Sequence, residues 1–247
     1  MASWGTKNIT WCIVWAISIA ISMSSGLVRA RRTIDDMNVI DKCWRTNPNW
    51  RGHLQQLAMC SIGYTGKMTN NTGSDVTHYR VTDHSDDALN PKPGTLRYGV
   101  TSIKGKVGKV DGDAIRMLTS SKIWIDHNTL YDCKDGLIDV TRGSTSITIS
   151  NNWFRFQDKV MLLGHNDGYR RDKNMRVTVA FNHFGPRCQQ RMPRIPVGYA
   201  HVVNNLYLGW GSYALGGSMN PSIKSEANLF IAPEGQNKES PGTPNEW

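Results

Sequence analysis

The sequence predicts an all-β fold, a right-handed parallel β-helix preceded by an irregular N-terminal segment. Three observations predict it. A segment of the form Asn-x-apolar recurs along the chain, short β-branched runs alternate with turn residues, and aspartates recur at one position of the repeat. Such regular repeats are typical of a solenoid, in which each repeat forms one coil and stacks on the next.

The recurring Asn stands two residues before a large apolar residue in five segments. The steps between the five positions are 24, 30, 23 and 23 residues. At equivalent turns of stacked coils these side chains can form a hydrogen-bonded ladder, while Val, Ile, Leu and Phe fill the interior. The five residues are Asn128, Asn152, Asn182, Asn205 and Asn228. An antiparallel sandwich with coincidental Asn spacing is the alternative.

A second series of short strands runs at similar intervals, so each coil has at least two strands. We predict these strands at Asp113–Met117, Gly136–Val140, Val160–Gly164 and Tyr213–Gly217. The longest step contains a polar loop at residues 164–172, and loops on a solenoid wall form binding grooves.

Four aspartates recur at one position of the repeat: Asp111, Asp113, Asp135 and Asp139. Clustered carboxylates repel one another and suit a hard cation such as Ca²⁺. A straight strand would separate Asp135 from Asp139 by roughly 13 Å, so both serve one site only if the chain bends between them. Solvated turn aspartates are the alternative.

Four regions divide the chain of 247 residues: a signal peptide at 1–30, an N-terminal segment and linker at 31–110, the β-helix at 111–232 and a tail at 233–247. The signal peptide is predicted from Lys7, the apolar run from Trp11 to Met23 and Val28-Arg29-Ala30. An uncleaved membrane anchor is the alternative. Within the N-terminal segment, Trp44 and Trp50 are available to cover an open end of the β-helix.

The chain carries a formal net charge of +9, and removal of Lys7 and Arg29 leaves 9 − 2 = +7. For a secreted protein, this charge favours a polyanion outside the cell, such as an acidic polysaccharide. A generic basic surface is the alternative. No nucleic-acid motif is present, and we expect a monomer with no stable membrane association after signal cleavage.

Of the five cysteines, Cys12 lies in the signal peptide. Cys43 and Cys60 close a short loop and are expected to form a disulfide, whereas Cys133 and Cys188 could pair, remain thiols or have lost partners. Asn70-Asn71-Thr72 is a glycosylation sequon, which fits the secretory route.

Several segments, in this order, resemble the motifs of plant pectate lyases over almost the whole mature chain. They are Cys43-Trp44-Arg45, Leu57–Cys60, Asn90–Arg97, Trp124–Asn128, Asp135–Asp139, Val160–His165 and Arg191–Arg194. The resemblance implies a right-handed parallel β-helix, and a secreted or wall-associated enzyme that cleaves de-esterified pectin (polygalacturonate) by Ca²⁺-dependent β-elimination.

The resemblance also implies roles for individual residues. It makes Asp111, Asp113, Asp135 and Asp139 calcium ligands, Arg191 the arginine that abstracts a proton and Lys159 the lysine that binds the substrate carboxylate. The alternatives are an ordinary surface lysine at 159 and a structural ion-pair partner at 191. We expect His127 and His165 to satisfy backbone groups at turns, since this elimination needs no imidazole.

The chain departs from the family pattern at two places. Pro196 stands where the family has a further substrate-binding arginine, for which Arg194 is the candidate replacement. Only residues 101–110 separate Tyr98-Gly99-Val100 from Asp111, so roughly three coils are absent and the β-helix is shortened. A catalytically impaired pectate-binding homologue is therefore the alternative function, and a β-helical hydrolase with paired acids is a third.

Overall fold

The computed structural model describes residues 33–73, 76–85, 87, 89–102 and 112–235. The predicted signal peptide, Asp111, the stretch from Lys104 to Lys109 and most of the C-terminal tail lie outside the described residues. No helix within the described ranges is long and apolar enough to cross a membrane.

The chain folds into a right-handed parallel β-helix whose strands form three sheets, all paired in parallel. The first sheet contains β1 (Ile115–Leu118), β4 (Gly136–Thr141), β7 (Gln157–Leu163), β10 (Cys188–Gln190), β11 (Arg194–Ile195) and β14 (Gly216–Gly217). The second contains β2 (Ser121–Asp126), β5 (Thr145–Ser150), β8 (Arg176–Ala180), β12 (Tyr199–Val203) and β15 (Ser222–Glu226). The third contains β3 (Thr129–Tyr131), β6 (Trp153–Arg155), β9 (His183–Phe184), β13 (Leu206–Leu208) and β16 (Leu229–Ile231).

The predicted Asn ladder occupies the turn between the second and third sheets. Asn182 shows the pattern: its Oδ1 accepts from the backbone N–H of Asn152 at 3.0 Å, and its Nδ2 donates to Asn205 Oδ1 at 3.0 Å. The residue before each ladder Asn has a positive φ, from 51° at Ala227 to 60° at Phe181. This left-handed residue turns the chain sharply, and the amide of the next residue satisfies the backbone groups that the turn exposes.

The interior is filled by side chains that stack from coil to coil. In the second sheet Ile125, Ile149, Val179 and Val202 lie in register and are buried. Behind the third sheet Phe154, Phe184, Tyr207 and Phe230 form a continuous stack with centroid distances of 5.0, 4.8 and 4.4 Å. This continuous apolar column explains the period found in the sequence.

The N-terminal segment has little regular structure and lies on the outer face of the second sheet. It contains two α-helices, α1 (Val39–Arg45) and α2 (Leu96–Ser102), and five short 3-10 helices at Ile34–Asp36, Trp50–Gly52, Leu54–Cys60, Gly63–Thr65 and Thr69–Asn71. Thr65 N donates to Thr148 Oγ1 at 3.3 Å, and Thr148 Oγ1 donates to the carbonyl of Ile62 at 2.7 Å. Tyr64 N donates to Thr178 Oγ1 one coil further on.

The expected position of Trp44 and Trp50 was wrong. Instead of covering an open end, Trp44 is buried beside Trp50 against Trp124 and Phe181, which belong to different coils. Trp124 lies in register with Thr148, so this cluster packs against the side wall of the β-helix. The physical reason is that the side wall offers the aromatic rings of Trp124 and Phe181 for packing and the hydroxyl groups of Thr148 and Thr178 for hydrogen bonds.

The predicted disulfide between Cys43 and Cys60 is confirmed, with an S–S distance of 2.09 Å. It joins α1 to the 3-10 helix that ends at Cys60, within the part of the chain that has the least regular structure. Cys133 and Cys188 do not pair with each other, and Cys188 is buried.

Candidate functional site

The outer face of the first sheet carries the candidate site because the in–out alternation breaks in its central strands. Leu137 and Ile138 are adjacent in β4 and both are fully buried. Val160 and Met161 repeat this arrangement in β7. Two consecutive inward side chains mean that the chain bends, so the residues on either side of each pair face outward together.

This bend brings Asp113 and Asp139 together over Gly136. A Cβ placed on Gly136 would lie 2.9 Å from Oδ1 of Asp113 and 2.9 Å from Oδ1 of Asp139. The two oxygens are therefore no more than 2.9 + 2.9 = 5.8 Å apart. Asp113 Oδ1 accepts the backbone N–H of Gly136 at 2.7 Å, while its Oδ2 is buried and has no hydrogen-bond partner.

Burial and like charge act on both carboxyl groups. Burial, followed by the charges of Asp113 and Asp135, raises the pKa of Asp139 to about 7, against the opposing effect of Arg116 and Arg191. Burial also raises the pKa of Asp113, although its hydrogen bond from Gly136 works in the other direction. Ionising both groups is therefore costly unless a cation is supplied.

Asp135 is close enough to act on these two groups but makes a different contact. Its Oδ1 lies 2.9 Å from Nζ of Lys159, which is in register with Gly136 on the next coil. The Asp135 and Lys159 side chains are 41% and 39% exposed, so both remain accessible to a ligand. The residues expected to hold metal and substrate thus lie side by side.

Of the four predicted metal ligands, the structure brings two together, places the third beside Lys159 and leaves Asp111 outside the described ranges. In the part of the chain that the structure describes, no group of three or more His, Cys, Asp or Glu side chains is arranged to hold a metal ion. Asp113 and Asp139, with one buried oxygen lacking a partner, still form a donor pair that fits a hard cation.

Arg191 lies at an irregularity between β10 and β11. Gln190 pairs with Lys159 and Arg194 pairs with Leu162, so the Arg191 coil has one residue more than β7 over this stretch. Arg191 absorbs the extra residue with a φ of 62°. Its positive charge acts on both Asp139 and Tyr213, and its Nε is buried without a hydrogen-bond partner. The charge of the guanidinium therefore acts on the acidic cluster through Asp139.

Arg194 faces outward in β11, where the polar loop contacts it. Its NH2 group lies 3.8 Å from Oδ1 of Asp167 and 3.5 Å from Oγ of Ser218, which itself donates to Asp167 at 2.7 Å. Pro196 follows the end of β11 and packs near Gly164. Position 196, where the resembling family has an arginine, therefore carries no positive charge. Arg194, two residues earlier, carries one.

Tyr213 is a candidate site residue that sequence reasoning missed. Burial raises the pKa of its hydroxyl, and the nearby charges of Arg191 and Arg194 oppose that shift. Its only sequence signal was its position in the predicted strand Tyr213–Gly217, which is observed only at Gly216–Gly217.

The expectation for His127 was wrong. Its ring does not satisfy backbone groups but lies between two carboxylates, with Nδ1 2.5 Å from Asp126 Oδ2 and Nε2 2.9 Å from Asp41 Oδ1. Because Asp41 belongs to α1, this contact joins the N-terminal segment to the first coil. The ring of His165 contacts Tyr169 edge-on.

Two clefts lie away from this cluster, one in the N-terminal segment and one between that segment and the first coil. One, of about 710 Å³, is lined in part by Arg51, His53 and His78. The other, of about 490 Å³, lies between Trp44, Trp124 and His127. Neither includes an acidic residue of the first sheet. Asn70 of the sequon is exposed.

Comparisons with known proteins show which family the chain resembles in sequence and in fold. A family model described as pectate lyase matches residues 96–243. The chain is 40% identical to "Probable pectate lyase 9" of Arabidopsis thaliana, in an alignment that covers 88% of this chain and 66% of that protein. It is 43% identical to "Probable pectate lyase 4" of the same plant, covering 80% and 70%. It is 41% identical to the pectate lyase of Zinnia elegans, covering 79% and 67%.

Among solved structures, jun a 1, the major allergen from cedar pollen, is similar with a TM-score of 0.70 and 38% identity, covering 82% of this chain and 80% of that one. The chain spans roughly two thirds of the length of the curated relatives described above.

Proposed function

The chain belongs to the pectate lyase family, and we propose that it cleaves de-esterified pectin, that is polygalacturonate, by calcium-dependent β-elimination. One observation carries the proposal: the carboxylates of Asp113 and Asp139 converge over Gly136, next to Lys159 and within the field of Arg191. This combination matches the two needs of the reaction, a cation near a substrate carboxylate and a strong base near the adjacent proton.

Asp113 and Asp139 are the residues that would hold calcium, with Asp135 beside them and Asp111 added by the family resemblance. The unpartnered Oδ2 of Asp113 and the raised pKa of Asp139 support this assignment, because both are relieved by a bound cation. When bound, calcium supplies positive charge that neutralises a galacturonate carboxylate.

Lys159 and Arg191 have separate tasks in the proposed reaction. The ammonium group of Lys159 binds and orients a substrate carboxylate. Arg191 takes the proton from C5, and the electrons of that C–H bond form the C4–C5 double bond. The glycosidic oxygen on C4 leaves with the electrons of the C4–O bond and takes a proton from water. Because the pKa of arginine is above about 12, the neutral base is rare near pH 7. Activity should therefore rise with alkalinity until another group fails.

The test is an assay of the purified mature protein with polygalacturonate and calcium at alkaline pH, which follows the ultraviolet absorbance of the unsaturated product. Arg191→Lys should remove turnover and leave calcium affinity nearly unchanged. Normal turnover in that variant would remove Arg191 from the mechanism. New reducing ends without ultraviolet absorbance would instead indicate a hydrolase.

A second candidate function is a catalytically impaired homologue that binds pectate. Pro196, in place of an arginine, favours this alternative, since loss of one charged hydrogen bond costs about 1.5 to 3 kcal/mol of binding. Calcium-dependent binding of polygalacturonate, with no unsaturated product formed, would support this second function. The Pro196→Arg variant should then bind polygalacturonate more tightly than the wild type. The control Lys173→Arg, at an exposed position, should bind it as the wild type does.

Further parts of the proposal concern the surroundings of the enzyme. We infer that it acts as a secreted monomer at the cell wall, with Asn70 glycosylated and with no nucleic-acid partner. The exposed position of Asn70, the Cys43–Cys60 disulfide and the basic charge support an extracellular location. Mass spectrometry of protein secreted from plant cells tests glycosylation at Asn70.

A further inference from the structure

The outer face of the third sheet carries exposed aromatic rings interleaved with arginines that the proposed reaction does not use. Tyr131, Trp153 and Phe156 are 51%, 37% and 42% exposed. Arg155 follows Trp153 by two residues on the same face of β6, and Arg187 lies one coil further on. We call these five residues the arginine–aromatic surface.

Three rings surround the guanidinium of Arg155. Its Cζ lies 4.8 Å from the ring centroid of Tyr131, 4.5 Å from that of Trp153 and 5.6 Å from that of Phe156. Its Nε is buried and has no hydrogen-bond partner. Rings engage the flat face of a guanidinium, whereas its N–H donors lie in the plane and need acceptors elsewhere.

Arg187 adds a second cation to the same surface. It is exposed, and its Cζ lies 5.8 Å from the ring centroid of Phe156. Among the described residues, no carboxylate forms an ion pair with Arg155 or Arg187. Two guanidinium groups, both next to Phe156, are therefore open to an anionic ligand.

The surface is held in place before any ligand binds. Trp153 Nε1 donates to the carbonyl of Gly185 at 2.7 Å, and its ring stacks on His183 with an interplanar angle of 11°. Tyr131 and Arg155 are paired residues of adjacent strands. A fixed surface loses little side-chain entropy on binding, which favours even a weak ligand.

We propose that the arginine–aromatic surface is a second binding site for acidic polysaccharide, outside the groove of the first sheet. Arg155 and Arg187 bind carboxylates of uronic-acid units, and the exposed rings of Tyr131 and Phe156 contact the apolar faces of the sugars. Arg155 and Arg187 lie on neighbouring coils, about 4.8 Å apart along the axis, with Arg187 opposite Phe156 and therefore offset from Arg155 along the strand. Two cations on neighbouring coils suit a polymer that carries a charge on each unit. The choice of a uronic-acid polymer rests on the proposed function, whereas the surface itself does not.

The experiment compares binding and activity in the Arg155→Gln/Arg187→Gln double variant. Affinity electrophoresis through gels containing polygalacturonate, with a chelator present, measures binding that does not depend on calcium. We expect the apparent Kd to rise by about tenfold or more, as for the loss of two charged contacts. Turnover of a short oligogalacturonide should stay within about twofold of wild type, whereas KM for the polymer should rise.

The matched control is Arg45→Gln/Arg51→Gln, which removes two arginines that also lie over tryptophan rings but belong to the N-terminal segment. Its binding should match wild type. Wild-type binding by the Arg155→Gln/Arg187→Gln variant, or equal affinity of the wild type for a neutral galactan, would overturn the proposal. If the double variant fails to fold, Arg187→Glu replaces it, because Arg187 is exposed, and it must weaken binding.

Two further outcomes separate this inference from the proposed function. A chain with no lyase activity whose binding still depends on Arg155 and Arg187 would refute the proposed function and retain this site. A chain that has lyase activity but binds polygalacturonate independently of both arginines would support the proposed function and refute this site. A wild type that forms dimers lost in the double variant, with unchanged polysaccharide binding, would assign the surface to self-association and overturn the inference.

Discussion

Lys159 and Asp135 form an ion pair across one coil of the β-helix, with 2.9 Å between Nζ and Oδ1. Both side chains are more than one third exposed, so the pair contributes at most about 1 kcal/mol to stability. The pair matters because of its position. The lysine that we expect to bind the substrate carboxylate also offsets the negative charge of the acidic cluster. Substrate binding and calcium binding are therefore expected to be linked through this pair.

Lys159→Met should strengthen calcium binding while it removes turnover. Without the ammonium group, Asp135 is released and the field at Asp113 and Asp139 becomes more negative. We expect the calcium Kd to fall by about threefold to tenfold, equivalent to roughly 1 kcal/mol in a partly exposed site. Titration calorimetry measures this change. Lys173→Met, on an exposed lysine directly after the polar loop, is the control. Weaker calcium binding by Lys159→Met would contradict the prediction.

Gly136→Ala should disrupt the acidic cluster by adding one methyl group. That methyl would lie 2.9 Å from an oxygen of Asp113 and from an oxygen of Asp139, closer than real contacts allow. Gly136 does not adopt a positive φ, so the effect is local and steric. We expect the calcium Kd to rise by about tenfold and the free energy of unfolding to fall by about 1 to 3 kcal/mol.

Gly73→Ala is the matched control for that substitution, because a Cβ at Gly73 meets nothing within 4 Å. It should leave calcium affinity and stability unchanged. Calorimetry and thermal unfolding of both variants measure the difference. If Gly136→Ala binds calcium as the wild type does, then Asp113 and Asp139 do not hold it together.

Features that repeat along the chain could be predicted from the sequence. The Asn ladder and the inward rows follow from residue spacing alone, because each coil places equivalent residues at equivalent positions. Features set by a single contact could not be predicted. The N-terminal segment docks on the side wall through hydroxyl contacts of Thr65 and Thr148, which have no period, and Trp44 was therefore misplaced.

The same distinction applies to the candidate site. The aspartates were found from their recurrence, but the bend that joins Asp113 to Asp139 comes from two consecutive inward residues, Leu137 and Ile138, which look like any apolar run. The extra residue at Arg191 becomes visible only when Gln190 and Arg194 are aligned with the strand beside them. Register between strands is the information that one sequence lacks.

His127 should make docking of the N-terminal segment depend on pH. The hydrogen bond that Nδ1 of His127 donates to the Asp126 carboxylate is the main cause that raises the pKa of His127 above 6.5, and the charge of Asp41 adds to it. A raised pKa in the folded state means that the stabilisation is complete below pH 6.5 and is lost as pH rises through the folded-state value. The gap in Tm between wild type and His127→Asn should therefore shrink from about pH 5.5 to about pH 9.

Asp41→Asn tests whether this dependence acts between α1 and the first coil. It removes the carboxylate on the N-terminal side and keeps Asp126, so the dependence of Tm on pH should weaken without disappearing. His53→Asn, in the N-terminal segment but away from both carboxylates, should leave it unchanged. A gap between wild type and His127→Asn that is constant with pH would show that His127 contributes packing alone.

Tyr207→Phe should stabilise the β-helix, because the hydroxyl of Tyr207 is fully buried and has no hydrogen-bond partner. Leaving a polar group unsatisfied costs about 1 to 3 kcal/mol, and phenylalanine keeps the stack with Phe184 and Phe230. We therefore expect the free energy of unfolding to rise by about 1 kcal/mol in denaturant titrations.

Tyr207→Leu is the matched control: it also removes the hydroxyl but breaks the aromatic stack, so it should be less stable than Tyr207→Phe. A loss of stability in Tyr207→Phe would mean that the hydroxyl has a partner inside the coil, most simply a buried water.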